Sequence, residues 1–481
     1  MNKILLYFYL NFSEMVLSRI WSAFIIVAIV VASIKYIFSP NYKAIYNDMV
    51  VGKGGDTVMI SKQPMSALAP NIQESLMKSP DFTEKHIGYK TDSLKQSVQV
   101  YRVSKADGVI GTSETAVKIC LGLIGIMTLF MGFMSIAEKA GGINLLSRMI
   151  QPFFSKLFPE VPKNHPSFGH MMLNFSANLL GLDNAATPFG LKAMESLQTL
   201  NPSKDTASNA QVMFLALHAS GLTLIPVSII AIRASMGAAN PTDIFLPCLI
   251  ATFAATMAAM IIVSLKQKIN LLQPVVLAYV GGISAIIAGL VVFLVKLNQE
   301  ELASFSQVLS NGIILFIFFA IVLGGVYKKI DIFDSFIEGA KEGFWVSVKI
   351  IPYLVGMLIA ISLLRTSGVF EVIIDGMKWL ANVANMDTRF VDGLPTALIK
   401  PLSGSGARGM MVDTMATFGP DSFASRLAGV LQGSSDTTFY VIAVYYGAVS
   451  IRNTRYTVGA MLLADLVGII TAITLAYLFF G

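Results

Sequence analysis

The sequence predicts an all-α polytopic membrane protein made of two inverted repeats with re-entrant hairpins and broken transmembrane helices, plus a small soluble extracytoplasmic insertion. Three observations lead there. Of 481 residues, 54% are hydrophobic and only 13% charged, whereas soluble chains carry about a quarter charged residues. Mostly apolar runs long enough to cross a hydrocarbon core of about 30 Å recur at 20–38, 115–137, 244–265, 272–297, 308–326, 346–364 and 458–480. From residue 114 onward the same order of parts occurs twice, a pattern that in membrane proteins usually puts a site between the repeats.

The first run has Arg19 before it, Lys35 inside it and no small-residue cleavage site after it, so residues 1–38 read as an uncleaved signal anchor. Residues 39–113 are polar and punctuated by Pro40, Pro64, Pro70 and Pro80. They read as the insertion, with strands expected in "VVGKGGDTVMI" and "SVQVYRV". The first repeat, 114–268, runs from an apolar span through "KAGGINLLSRMIQPFF", "NLLGLDNAATPFGLKAME" and "QVMFLALHASGLTLIPVSIIAIRAS" to a last span. A two-helix connector, 269–330, breaks at Lys296–Glu301. The second repeat, 331–481, passes through "SGVFEVIIDGMKWLANV", "ALIKPLSGSGARGMMVDTM" and "LAGVLQGSSDTTFYVIAVYYGAVSI" to its own last span.

Charge sets the orientation. Lys266–Lys268 and Tyr327–Lys329 flank the connector and should be cytoplasmic, with Lys296–Glu301 outside. The last span of the first repeat then runs inward and that of the second, preceded by Arg452 and Arg455, outward. The repeats are therefore expected to be inverted, with the N-terminus cytoplasmic, the insertion outside and the chain multi-pass in a bacterial inner membrane. The net charge of +6 is scattered over loops, which argues against nucleic acid as a partner. Cys120 and Cys248 sit in apolar runs without metal-ligand spacing, no metal site is expected, and there is no GxxxxGK[ST] phosphate loop. A metalloprotease, an ATP-driven pump and a soluble enzyme find no support, and the chain is not expected to be an enzyme.

Polar, broken backbone at membrane depth is tolerated where it is buried in protein or lines a water-filled cavity, and half-helix ends there bind solutes or ions. In the first repeat, a hairpin tip is expected at 182–188, with Asp183, Asn184 and Thr187 binding a solute, Asn184 also standing as the helix cap and Pro188 in the first turn. The matching tip in "PLSGSGARG" offers Ser403 and Ser405. The following segments should break at "HASGLTLIP", bringing Ser220 and Thr223, and at "QGSSDTTFY", bringing Gln432, Ser434, Asp436 and Thr437. An acidic residue at that depth costs at least a few kcal/mol and generally marks a site or a buried partner, so Asp436 is the candidate partner of a coupling Na+ or H+. His218 could carry a proton. Alternatives remain open: close packing of small residues at the tips, a capping role for Asp436, and a His218 that is only a satisfied hydrogen bonder. Lys192, Lys400 and Asp465 read as pairing or interfacial charges.

These motifs carry a resemblance. "GLDNAATPFGLKAME", "SGLTLIPVSIIAIR" and "NPTDI" resemble the spore maturation protein A family, and "KPLSGSGARG" with "PDSFASRLAGVLQGSSDTTFYV" resembles spore maturation protein B, so the chain looks like an A–B fusion. The resemblance covers most of 115–268 and 331–481. Both families contain the gate, or nucleoside recognition, domain shared with concentrative nucleoside transporters and the membrane part of ferrous iron transporters, which implies hairpins and broken helices. Three departures stand out. The family usually has Gly where Asp183 stands, an apolar residue where Arg408 stands, and an Asn-Thr-Ser-like turn at His218–Ser220. Aligning the tips brings Asp183 near Arg408 and predicts an ion pair across the two hairpins, since two unpaired charges there would be costly.

The expected function is a transporter or gated permease for a small polar solute, with a nucleoside-like solute as one candidate, bound between the repeats and without a resident cofactor. The alternative is a non-transporting membrane scaffold or envelope maturation factor acting through protein partners, with 39–113 as the contact surface. The expected partners are the solute and the lipid bilayer; a homo-oligomer and an extracytoplasmic protein are left open.

Overall fold

The computed structural model describes residues 21–39, 42–65, 73, 76–77, 81–84, 87–91, 97–162, 164–179 and 183–481; of Asp183, Asn184 and Ala185 only the backbone is described. Among the described residues, seven helices are long and apolar enough to cross a membrane, and each coincides with one of the runs read from the sequence. The protein is a multi-pass, almost entirely helical membrane protein.

Helix α1 (Trp21–Phe38) lies against a later span, to which it donates hydrogen bonds from Trp21 Nε1 to the Gly356 carbonyl (2.8 Å) and from Lys35 Nζ to the Ser367 carbonyl (2.7 Å). After the short helix α2 (Ile45–Val50) comes an antiparallel sheet in the order β1-β4-β3-β2, from β1 (Gly52–Pro64), β2 (Asp81–Glu84), β3 (Ile87–Thr91) and β4 (Ser97–Asp107). The two expected strands are β1 and β4, paired with each other.

The first repeat supplies α3 (Val109–Lys139), α4 (Gly142–Leu157), α5 (Pro166–Leu179), α6 (Asp183–Leu200), α7 (Asn209–Ser220), α8 (Val227–Ser235) and α9 (Phe245–Gln267). The connector forms α10 (Pro274–Leu294) and α11 (Gln299–Lys328). The second repeat supplies α12 (Ile332–Thr366), α13 (Val369–Val383), α14 (Leu394–Ile399), α15 (Gly404–Phe418), α16 (Phe423–Gly433), α17 (Thr438–Ala448) and α18 (Thr457–Phe480). The correspondence reaches local geometry. The amphipathic helices α4 and α13 are each entered through a left-handed glycine, Gly141 (φ 81°) and Gly368 (φ 77°).

Equivalent spans pack on each other, α3 along α12 and α9 along α18. The α3–α12 contact is made close by Gly339 and Gly343, a Gly-x-x-x-Gly pair of the kind that lets helix backbones approach in membranes. A Cβ on Gly339 would lie 2.2 Å from the Met131 carbonyl oxygen, and one on Gly343 2.6 Å from that of Met127. The helices α5, at 14 residues, and α15, at 15 residues, reach only about 21–23 Å at 1.5 Å per residue. Both are too short to cross the hydrocarbon core. They form one arm each of two helical hairpins, α5–α6 and α14–α15, that pack inside the bundle.

Candidate functional site

Both expected breaks are present. Residues 221–226 separate α7 from α8, and 434–437 separate α16 from α17. Each hairpin rests on its own repeat's broken helix: Leu224 N, in the first break, donates to the Leu179 carbonyl (2.9 Å), and Phe439 N, in the first turn of α17 after the second break, to the Pro401 carbonyl (3.0 Å). Gly404 permits the second approach, since a Cβ there would sit 2.6 Å from Thr437 Oγ1.

The two broken helices run antiparallel, as contacts at three levels show. At one end Arg455 Nη1 donates to Asn209 Oδ1 (2.8 Å), and the backbones of Asp205–Ala207 and Arg452–Asn453 bond as a short bridge. In the middle Asp436 N donates to the Ala219 carbonyl (2.6 Å). At the other end Arg233, fully buried at the close of α8, donates through Nη1 to the Pro420 carbonyl (2.7 Å) just before α16. Arg233 Nη2 also stands 2.9 Å from Asp243 Oδ1, an ion pair without a directed hydrogen bond, and 3.4 Å from Asp421 Oδ1. Asp243 is shared with Arg426 Nε at 2.7 Å.

Where the breaks and hairpins converge lies a cavity of about 550 Å³, within the range of small-ligand sites. Of the residues expected there, Thr187, Thr223, Gln432, Asp436, Thr437 and Arg408 line it. Asp436 keeps 52% of its side chain accessible, while its Oδ1 accepts from Thr437 N at 2.7 Å. That bond ties the carboxylate to the backbone just before α17, whose cap residue is Thr437, and leaves it lining the cavity. Among the described residues, the buried Gln432 Oε1 atom has no hydrogen-bond partner.

Other expectations are corrected. Ser220 and Ser434 turn away from the cavity. Each is buried and donates to a carbonyl of its own helix, Ser220 to Ala216 (2.9 Å) and Ser434 to Leu431 (2.9 Å), as serines near helix ends often do. Ser403 is a helix cap whose Oγ accepts from Gly406 N at 3.0 Å. Ser405 instead faces a separate small recess with Ile350, Tyr353 and Arg408. Helix α6 begins at Asp183, so Asn184 is not its cap and Pro188 lies inside the helix, past its first turn. Asp183 and Asn184 are otherwise outside the described side chains, and so is the expected Asp183–Arg408 pair.

Three groups were not anticipated as cavity residues. Lys400 is buried, lines the cavity and donates to the Gln432 carbonyl. Asn178 lines it as well, its Nδ2 facing His218 Nδ1 at 2.8 Å. Asp465 is buried behind the cavity and accepts from Thr438 Oγ1. A wider cleft of about 860 Å³ between α3 and α12, carrying Glu342 and Lys349, adjoins the cavity through Val227, Ser228, Arg408 and Tyr440, which line both.

Two broken helices and two hairpins enclosing one polar cavity is the arrangement implied by the gate-domain resemblance, and comparison with known proteins agrees. The gate nucleoside-recognition family matches residues 120–236 and 347–452. Spore maturation protein B of Bacillus subtilis strain 168 is 46% identical over 173 residues, 36% of this chain and 96% of that protein. Spore maturation protein A of the same organism is 42% identical over 156 residues, 32% of this chain and 80% of that protein. The chain belongs to the spore maturation protein A and B families. As a spore maturation A–B fusion it carries both gate segments in one polypeptide, and described residues of both line the one cavity. No solved structure matches it significantly.

Proposed function

We propose that the protein is a permease for a small polar solute, bound between the repeats in the 550 Å³ cavity. The observation that carries this reading is that both hairpins and both helix breaks, two from each repeat, contribute lining to one polar space. A scaffold has no need of such a space, and broken backbone at that depth is otherwise costly. The match to a nucleoside-recognition family favours a solute with several hydrogen-bonding groups. Thr187, Thr223, Gln432 and Thr437 would bond it directly, Lys400 and Asp436 would bracket it with opposite charge, and a coupling cation would act at Asp436. No catalytic role is assigned to any residue. The setting proposed is a bacterial inner membrane with the N-terminus cytoplasmic, and the name of the relatives suggests spore maturation as the process served.

Thermal unfolding of the purified protein against nucleosides, nucleobases, dicarboxylates and amino acids tests the reading. A ligand that binds only the folded state stabilises it by mass action, about 2.7 kcal/mol at a hundred times its dissociation constant. A saturable rise in unfolding temperature, lost in Asp436→Asn and Gln432→Ala, is expected. A folded protein unmoved by the whole panel would turn the case toward a scaffold, whose partner would then be sought on the sheet β1–β4.

A further inference from the structure

We propose that His218 and Asp436 form a proton-binding site, with Asn174 holding the imidazole in the tautomer that takes up a proton on its cavity side. What the proton does depends on the permease reading above; the site itself does not.

His218 closes α7 with its ring 4% exposed, stacked near Phe214 (centroids 6.0 Å apart) and edge-on to Tyr445 (4.8 Å). Its Nδ1 lies 3.0 Å from Asn174 Oδ1 and 2.8 Å from Asn178 Nδ2, while Nε2 lies 3.9 Å from Asp436 Oδ2. The Asn174 amide decides between tautomers. Its nitrogen donates to the Ala186 carbonyl at 2.7 Å, and a carbonyl can only accept, so the amide cannot be turned over. Oδ1 must then face His218, and an oxygen that only accepts requires a hydrogen on Nδ1. Asn178, turned over, can present its own oxygen to the same hydrogen. The neutral ring is left with its lone pair on Nε2, toward Asp436.

A proton arriving from the cavity therefore lands on Nε2 and creates an imidazolium opposite a carboxylate. The two groups come from different repeats, His218 from the last turn of α7 and Asp436 from the second break. At 3.9 Å they are within reach of an ion pair but long for a hydrogen bond, so protonation draws the repeats together at mid-cavity. Loss of the proton frees Asp436 for a solute, which links proton occupancy to solute occupancy through one carboxylate. The other charged or titratable groups facing this pair are Lys400 at the end of α14, Arg408 on α15, Tyr440 and Tyr445 on α17, and Asp465 on α18 behind Thr438. Among the described residues lining the cavity, His218 is the one imidazole and Asp436 the one carboxylate.

The test is a titration of the solute-free, 15N-histidine-labelled full chain in detergent micelles, from about pH 5 to about pH 9, the span over which histidine changes charge. His218→Gln identifies the resonances. The neutral ring is expected as the Nδ1–H tautomer, protonating in a single step whose midpoint moves by more than about 0.5 in pH in Asp436→Asn. Asn174→Leu should admit the Nε2–H tautomer, whereas Asn174→Asp, which keeps an acceptor at Nδ1, should retain Nδ1–H. If Asn174→Leu does not fold, the aspartate variant and the wild-type tautomer decide the matter. An Nε2–H ring in the wild type, no titration, or a midpoint indifferent to Asp436→Asn would overturn the proposal. A titrating His218 in a protein that binds no solute would sink the permease reading and leave the proton site standing; solute binding beside a non-titrating His218 would do the reverse.

Discussion

Replacing Arg233 by leucine should be among the most damaging single changes outside the cavity. The guanidinium is fully buried and joins the repeats: it donates to carbonyls of Pro241 (3.3 Å) and Asn240 (3.2 Å) in the first and Pro420 (2.7 Å) in the second, and pairs with Asp243 and Asp421. Leucine would keep some of the packing but leave the Pro420 carbonyl and two carboxylates short of their cation, with Arg426 alone to serve both. Removing one partner from a buried pair costs about 3–5 kcal/mol, roughly two to four decades in the folding equilibrium. Lysine would keep the charge but not the planar fork and should fall between. The assay is thermal unfolding in detergent for Arg233→Leu, Asp243→Asn and the double variant. The double should be less destabilised than the sum of the singles by about 0.5–3 kcal/mol, the coupling expected of groups in direct contact. A leucine variant that unfolds with the wild type, or strictly additive singles, would refute the idea that this cluster holds the repeats together.

Two glycines give sharper packing tests. Gly339→Ala would drive a Cβ against the Met131 carbonyl, a backbone atom that cannot turn aside, and should cost about 1–3 kcal/mol as overpacking, read as a lowered unfolding temperature. Gly190→Ala would meet the Tyr445 ring at 2.5 Å; because that ring is buried against Phe214 and His218, the substitution should weaken solute stabilisation as well as the fold. Lys400→Met, which removes the buried ammonium and its bond to the Gln432 carbonyl, should lower affinity for acidic solutes more than for neutral ones in the same ligand panel.

The breaks were legible because they put polar residues where a span should be apolar: "HASGLTLIP" and "QGSSDTTFY" mark 221–226 and 434–437, and Thr223, Gln432, Asp436 and Thr437 all line the cavity. The spans were legible from length alone. What escaped were the directions in which side chains turn. Ser220 and Ser434 stand in the right segments, but a serine in the last turn of a helix can satisfy itself on a carbonyl three or four residues back, and the sequence carries no sign of that choice. Lys400 read as a pairing or interfacial charge, and only the fold shows that it donates to the carbonyl at the end of α16. Asn174 and Asn178 lie within one hairpin arm, and their roles depend on α6 and α7 folding back beside it. The Arg233 cluster was invisible for the same reason, since Arg233 and Asp421 lie 188 residues apart in the chain.

The most direct measurement is uptake of radiolabelled nucleosides, dicarboxylates and amino acids into liposomes containing the purified protein, compared with Asp436→Asn and with empty liposomes. Saturable uptake of one class, abolished in the variant while its unfolding temperature stays near that of the wild type, is the predicted result. Uptake at the empty-liposome rate for every compound, by a protein shown to be folded, would contradict it.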